Sequence, residues 1–143
     1  MTAIVRVTDV YGPIPYSQVG QDGKLTTPFD TQKAVYTKMF QELSDAITTL
    51  TANRTNDFSP NADQVFGGKV EKWIKFANSL KLRMAIRIRY ADATLAEQMV
   101  KEAISTENGQ VGVMENNDDN AFMKVSLNPF SVSYTHPDAA DDR

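Results

Sequence analysis

The sequence predicts an all-α chain, and two stretches carry most of that prediction. Between Gly67 and Tyr90 the residues Val70, Trp73, Ile74, Ala77, Leu80, Met84 and Ile88 recur at spacings of three and four, so they share one side of a 3.6-residue period. Between Thr31 and Leu50 the residues Val35, Tyr36, Met39, Phe40, Leu43, Ala46, Ile47 and Leu50 form a second, broader apolar face, wide enough for two neighbours. A shorter amphipathic stretch follows from Leu95. Three such helices on short or moderate links make a helical hairpin stack. No clean repeat of about 34 residues is visible, so the pattern alone does not define a tetratricopeptide array.

The first segment, Ala3 to Val10, places Ile4, Val7, Val10 and Tyr11 on one helical face. Gly12 is placed to cap it and Pro13 forbids easy continuation, so it reads as the last turns of a helix. Its β-branched residues Ile4, Val5, Val7, Thr8 and Val10 also fit a short strand. Tyr11 to Asp30 holds three prolines and three glycines and reads as an ordered loop. Its aromatics Tyr11, Tyr16 and Phe29 are expected to pin it to the helices, given how much apolar area such rings bury.

Asp30 is expected to cap the helix running from about Thr31 to Leu50, because its carboxylate can accept from first-turn amides. Thr51 to Phe66 follows as a polar connection. The central helix, about 22 residues and roughly 33 Å long at 1.5 Å per residue, carries Lys72, Lys75, Lys81, Arg83, Arg87 and Arg89 mostly off its apolar side. Their charged heads are expected in water. Asp92 or Thr94 caps the next helix, in which Leu95, Met99, Val100, Ala103 and Ile104 mark the apolar side to about Thr106. From Glu107 the pattern decays into a polar loop, with a short strand expected at Phe122 to Leu127.

Composition bounds the function. The 143 residues are the size of one ordinary domain, with 41% hydrophobic and 23% charged residues, as in globular chains. No run of about 18 apolar residues exists to span a bilayer. A net charge of −3 lacks the electrostatic footprint of nucleic-acid binding. The absence of cysteine excludes disulfides, thiolate metal sites and thiol nucleophiles.

No catalytic or metal constellation assembles. His136 is the single histidine, so neither a zinc site nor a triad can be built around it. Glu42 with Asp45, and Glu97 with Glu102, sit where helical polar faces ordinarily carry acids. The run Asn116, Asn117, Asp118, Asp119 and Asn120 is the nearest approach to an oxygen-ligand cluster. It lacks the alternating ligands, bend glycine and distant glutamate of a calcium loop, so a solvated loop is expected. Trp73, in register with Val70 and Ala77, is expected to pack in the core or between helices rather than to offer a sugar platform. No cofactor is implied.

Several phrases together resemble one family. Thr8-Asp9-Val10-Tyr11-Gly12 with Ile14-Pro15-Tyr16-Ser17 comes first, followed by Asp30-Thr31-Gln32 with Tyr36, Leu43 and Ala46-Ile47. Gly68, Lys72-Trp73, Phe76-Ala77-Asn78-Ser79-Leu80 and Leu82-Arg83 follow in order, and Asn117-Asp118-Asp119-Asn120-Ala121 continues the pattern. Over about residues 4–130 the chain resembles the SusD/RagB-like outer-membrane lipoproteins. The resemblance implies an α-helical scaffold of tetratricopeptide-like hairpins with long loops. It also implies a lipid-anchored, non-catalytic protein on the outer face of Gram-negative cells. Such a protein captures oligosaccharides, sometimes peptides, and caps a TonB-dependent SusC-like transporter.

Family members are several times longer and start with a signal peptide and a lipidated cysteine, so residues 1–130 are expected to be a partial helical domain. Residues 131–143, SVSYTHPDAADDR, depart from the family pattern and resemble a translated transposon end, so a non-native or disordered tail is expected there. The candidate ligand-binding residues are Tyr11, Tyr16, Asn117, Asp118, Asp119 and Asn120. The different class weighed against glycan capture is a helical protein-interaction scaffold. Apolar faces written for further neighbours are expected to leave apolar area exposed on the chain alone.

Overall fold

The computed structural model describes residues 1–20, 26–107 and 110–123. Four α-helices follow in order: α1 (Thr2–Tyr11), α2 (Gln32–Ala52), α3 (Val70–Ile88) and α4 (Ala93–Ile104), with a 3-10 turn at Asn117–Asp119. No strand occurs among the described residues. A single antiparallel bridge joins Ile14 and Asp30, which exchange backbone hydrogen bonds of 3.2 and 2.9 Å. Phe122 and Met123 lie in no strand, and the remainder of the strand expected at 122–127 falls outside the described residues. So do residues 131–143 with His136.

α3 is the centre of the packing and meets both α2 and α4, while α2 also meets α1. Met39 of α2 and Met84 and Ala85 of α3 have no solvent exposure, and Val35, Tyr36, Phe40, Leu43, Leu80 and Met99 close around them. The two-neighbour face expected of α2 is therefore present, although its burial stops at Leu43 and Ala46 is exposed.

The helix ends follow local chemistry. Gly12 takes φ 73°, a left-handed conformation that suits glycine, and donates its N–H to the Thr8 carbonyl at 2.8 Å. Asp92 caps α4 by accepting from Leu95 N–H at 3.2 Å. Gly67 and Gly68 at φ 64° and 84° turn the chain into α3, which begins at Val70 rather than at the glycines.

Several expectations are corrected. Thr31, not Asp30, caps α2 by accepting from Ala34 N–H at 3.3 Å. The Asp30 carboxylate instead accepts from Tyr16 N–H, Ser17 N–H and the Ser17 hydroxyl at 3.1, 2.7 and 2.8 Å, which closes the preceding loop. These bonds, led by the Ser17 amide, hold its pKa below the ordinary carboxylate value. In α1 the inward row is Val5 and Thr8, whereas Val7, Val10 and Tyr11 are exposed. Thr8 is fixed inside because its carbonyl accepts from the Gln32 amide at 2.9 Å and its hydroxyl donates to the Gly12 carbonyl at 2.7 Å.

Lys81 also departs from the expected wet face. Its side chain is 5% exposed and its Nζ lies 2.5 Å from Glu102 Oε2, because α4 crosses that side of α3. Of the three aromatics Tyr16 bonds from the loop to α2, while Tyr11 is the last residue of α1 itself. Tyr11 and Phe29 are 75% and 72% exposed, so neither pins the loop as expected.

Candidate functional site

The candidate residues lie on or against three different helices. Tyr16 is half-buried and its hydroxyl donates to Glu42 Oε2 of α2 at 2.5 Å. Burial, and then the Glu42 carboxylate, push its pKa up to about 12, so the phenol stays protonated and engaged. Tyr11 stands exposed at the end of α1. Asn117, Asp118, Asp119 and Asn120, in contrast, belong to a turn held against α3.

That turn is built from side chains of α3. Lys72, Lys75 and Ser79 recur at spacings of three and four, with Asn78 beside them, and together they form one polar stripe. Lys72 Nζ donates to the Asp118 carbonyl at 2.5 Å, and Lys75 Nζ to both Asp119 oxygens at 3.3 and 3.2 Å. Buried Asn78 donates to the Gly112 carbonyl at 2.7 Å, and the Ser79 hydroxyl accepts from Met114 N–H at 2.9 Å.

Asp119 is therefore buried, at 5% exposure, where a solvated loop was expected. The Glu115 amide leads the donors that keep its pKa below the ordinary carboxylate value; burial opposes them and Lys75 reinforces them. Asn116, Asn117, Asp118 and Asn120 are exposed, and so is the ring of Phe122 at 66%. Sequence reasoning missed Phe122 because it assigned the residue to a strand. Its place two residues beyond an amide cluster was the available signal.

Trp73 packs edge-on against Phe66 and Phe76, with ring centroids 4.9 and 5.9 Å away. Its indole N–H donates to Asp63 at 2.9 Å, so the half-buried ring packs against the connection before α3 and not between two helices. Asp63, 6% exposed, also accepts from the N–H groups of Val65, Phe66 and Gly68. Burial raises its pKa, but these four donors outweigh that and leave it below the ordinary value. Asp63 was read as part of a polar connection, and its buried role was not foreseen.

A separate open cleft of about 320 Å³ lies where the ends of the helices meet, lined by Asp9, Gln32, Lys33, Tyr36, Arg87 and Asp92 among others. Its charges neutralise one another. Tyr36 donates to Asp9 Oδ1 at 2.6 Å. Asp9 Oδ2, which has no hydrogen bond of good angle, is ion-paired with Arg87, and Lys33 pairs with Asp92 at 3.3 Å. Among the described residues no group of three or more His, Cys, Asp or Glu side chains is placed to hold a metal ion, and no helix is long and apolar enough to cross a membrane.

Four helices, with α2 and α4 packed on the central α3, α1 on α2, and an amide-bearing loop clasped to the side of α3, define an all-α helical-hairpin scaffold. A family profile described as "SusD-like: Susd and RagB outer membrane lipoprotein" matches residues 1–140. The chain belongs to this SusD-like family of outer-membrane lipoproteins, whose folds are helical and tetratricopeptide-like. A SusD homologue of Bacteroides uniformis is 49% identical over 92% of this chain, with a TM-score of 0.80. One from Bacteroides ovatus is 42% identical over 86% of the chain, with a TM-score of 0.75. A chitin-binding SusD homologue of Flavobacterium johnsoniae is 34% identical over 93% of the chain, with a TM-score of 0.76. The chain covers 27%, 25% and 28% of these three proteins, about a quarter of their length. Among curated proteins no match was found.

Proposed function

We propose that these residues form part of the scaffold of a non-catalytic glycan-capture lipoprotein. The parent protein sits on the extracellular face of the outer membrane, held by a lipid anchor outside these residues, and caps a TonB-dependent SusC-like transporter. The observation that carries the reading is the family match over residues 1–140, strengthened by the likeness to a chitin-binding homologue. The loop at 116–122 supports it chemically. Exposed amides both donate to and accept from sugar hydroxyls, and an exposed ring such as Phe122 can lie against the C–H face of a sugar. Asn117, Asp118, Asn120 and Phe122 are the ligand contacts this loop offers, and Tyr11 offers a second exposed ring at the far end of α1.

The test uses the intact gene product in titrations with chito-oligosaccharides and a panel of neutral polysaccharides. Saturable binding to at least one is expected, with a loss of about tenfold or more in affinity for Asn117→Ala combined with Phe122→Ala. Absence of binding to every glycan would overturn it. A helical protein-interaction scaffold would then take its place, a reading favoured by the exposed apolar row Val7, Val10 and Tyr11 on α1.

A further inference from the structure

The segment 110–120 is tied to α3 by a series of polar bonds. Among its residues only Gly112 and Asp119 are buried, and its apolar side chains Val111, Val113 and Met114 are half-buried. Its attachments come from the stripe Lys72, Lys75, Asn78 and Ser79, each meeting a different point of the segment. Among the described residues, Asp119 is the side chain of the segment that bonds back to α3. Its Oδ2 accepts from its own segment, Glu115 N–H at 3.1 Å, and from α3, Lys75 Nζ at 3.2 Å.

We propose that Asp119 is a positioning residue, a latch that with Lys75 fixes residues 110–120 on α3 and so orients Asn117, Asn120 and Phe122. In the three-residue period of a 3-10 turn, residues three apart lie on the same side. Asp119 pointing inward therefore leaves Asn117 and the following Asn120 together on another side, where both are exposed. Two amides held on one exposed side meet neighbouring sugar hydroxyls together, and ordering the loop beforehand removes an entropic cost of binding. Asp119 thereby passes from the ligand contacts expected from the sequence to the support behind them. What the latch presents rests on the glycan-capture reading; the latch itself does not.

The test is amide hydrogen exchange on the 143-residue chain, comparing the unaltered protein with Asp119→Ala and Lys75→Met. The Met114, Glu115 and residue-119 amides are expected to exchange about tenfold faster in Asp119→Ala and less so in Lys75→Met, with the amides around Met39, Met84 and Met99 unchanged. Uniform loosening of the core in both variants, or no change at the loop in either, overturns the latch. The second arm titrates the intact gene product with the oligosaccharide that the unaltered protein binds. An affinity that falls with loop release supports positioning, and an unchanged affinity overturns it. If the unaltered protein binds no glycan, the glycan reading fails while the exchange comparison still decides the latch.

Discussion

Asp63 and Asp119 are the same residue type, buried to the same degree on either side of α3, and they are held in opposite ways. Asp63 takes four neutral donors, all within ten residues of it: the amides of Val65, Phe66 and Gly68 and the Trp73 indole. Asp119 takes one nearby amide, Glu115, and a lysine 44 residues away. The first arrangement is a property of a local turn. The second exists only once α3 and the later segment have met, so its strength depends on charge and on tertiary structure. A buried carboxylate needs its lone pairs satisfied in either case, and this chain shows both solutions on one helix.

The largest effect should come from breaking the local solution through its glycine. Gly68 has φ 84°, and a Cβ there would lie 2.0 Å from the Phe58 carbonyl oxygen. Phe58 cannot simply withdraw, since its own N–H donates to the Gly68 carbonyl at 3.1 Å. Gly68→Ala is therefore expected to destabilise the chain by roughly 4 kcal/mol, combining backbone strain with loss of the turn that feeds Asp63. Thermal unfolding followed by far-UV circular dichroism checks it. A melting temperature within about 2 °C of the unaltered chain would show that the Asp63 turn is not built as described.

An intermediate effect separates the two carboxylates by pH. Both have folded-state pKa values below the ordinary carboxylate value, so each stabilises the fold above about 3.8 and loses that contribution as pH falls through its lowered folded value. Lys75→Met removes the cation from Asp119 and leaves the donors of Asp63 untouched. Loop amides near Met114 and Glu115 should then lose protection at a higher pH than in the unaltered chain, while those at Phe66 and Gly68 respond as before. Parallel movement of both sets would erase the distinction between local and distant support.

The same distinction governs how much the sequence disclosed. The packing of α2, α3 and α4 was legible because apolar spacing is a local signal, and Gly12 with Pro13 marked the end of α1. The inward row of α1 was not legible: Ile4, Val7 and Val10 looked more apolar than Val5 and Thr8, and the packing of Val5 in the core with the bonds of Thr8 to Gln32 and Gly12 decides between them. Lys81 was misplaced for a similar reason, since only the approach of Glu102 on α4 explains a buried lysine. Around the candidate site the amide cluster at 116–120 was visible in the sequence. The inward turn of Asp119 was not, because nothing local to it names Lys75 as its partner. Asp63 was the avoidable omission, as an aspartate followed by Gly67 and Gly68 before an apolar helix is a recognisable turn signal.

The smallest effect asks whether the loop is held by its one buried charge or by lysines in general. Lys72 also reaches the segment, but it meets a backbone carbonyl at the exposed residue Asp118 and not a buried carboxylate. A polar contact that water can replace on both sides typically contributes about 0.2–1 kcal/mol. Lys72→Met should therefore raise exchange by no more than about fivefold. The rise should be confined to the tip at Asp118 and Asn120, with Glu115 still protected by Asp119. If Lys72→Met instead frees the whole segment as Asp119→Ala does, the segment is held by a shared positive stripe, and Asp119 loses its special place opposite Asp63.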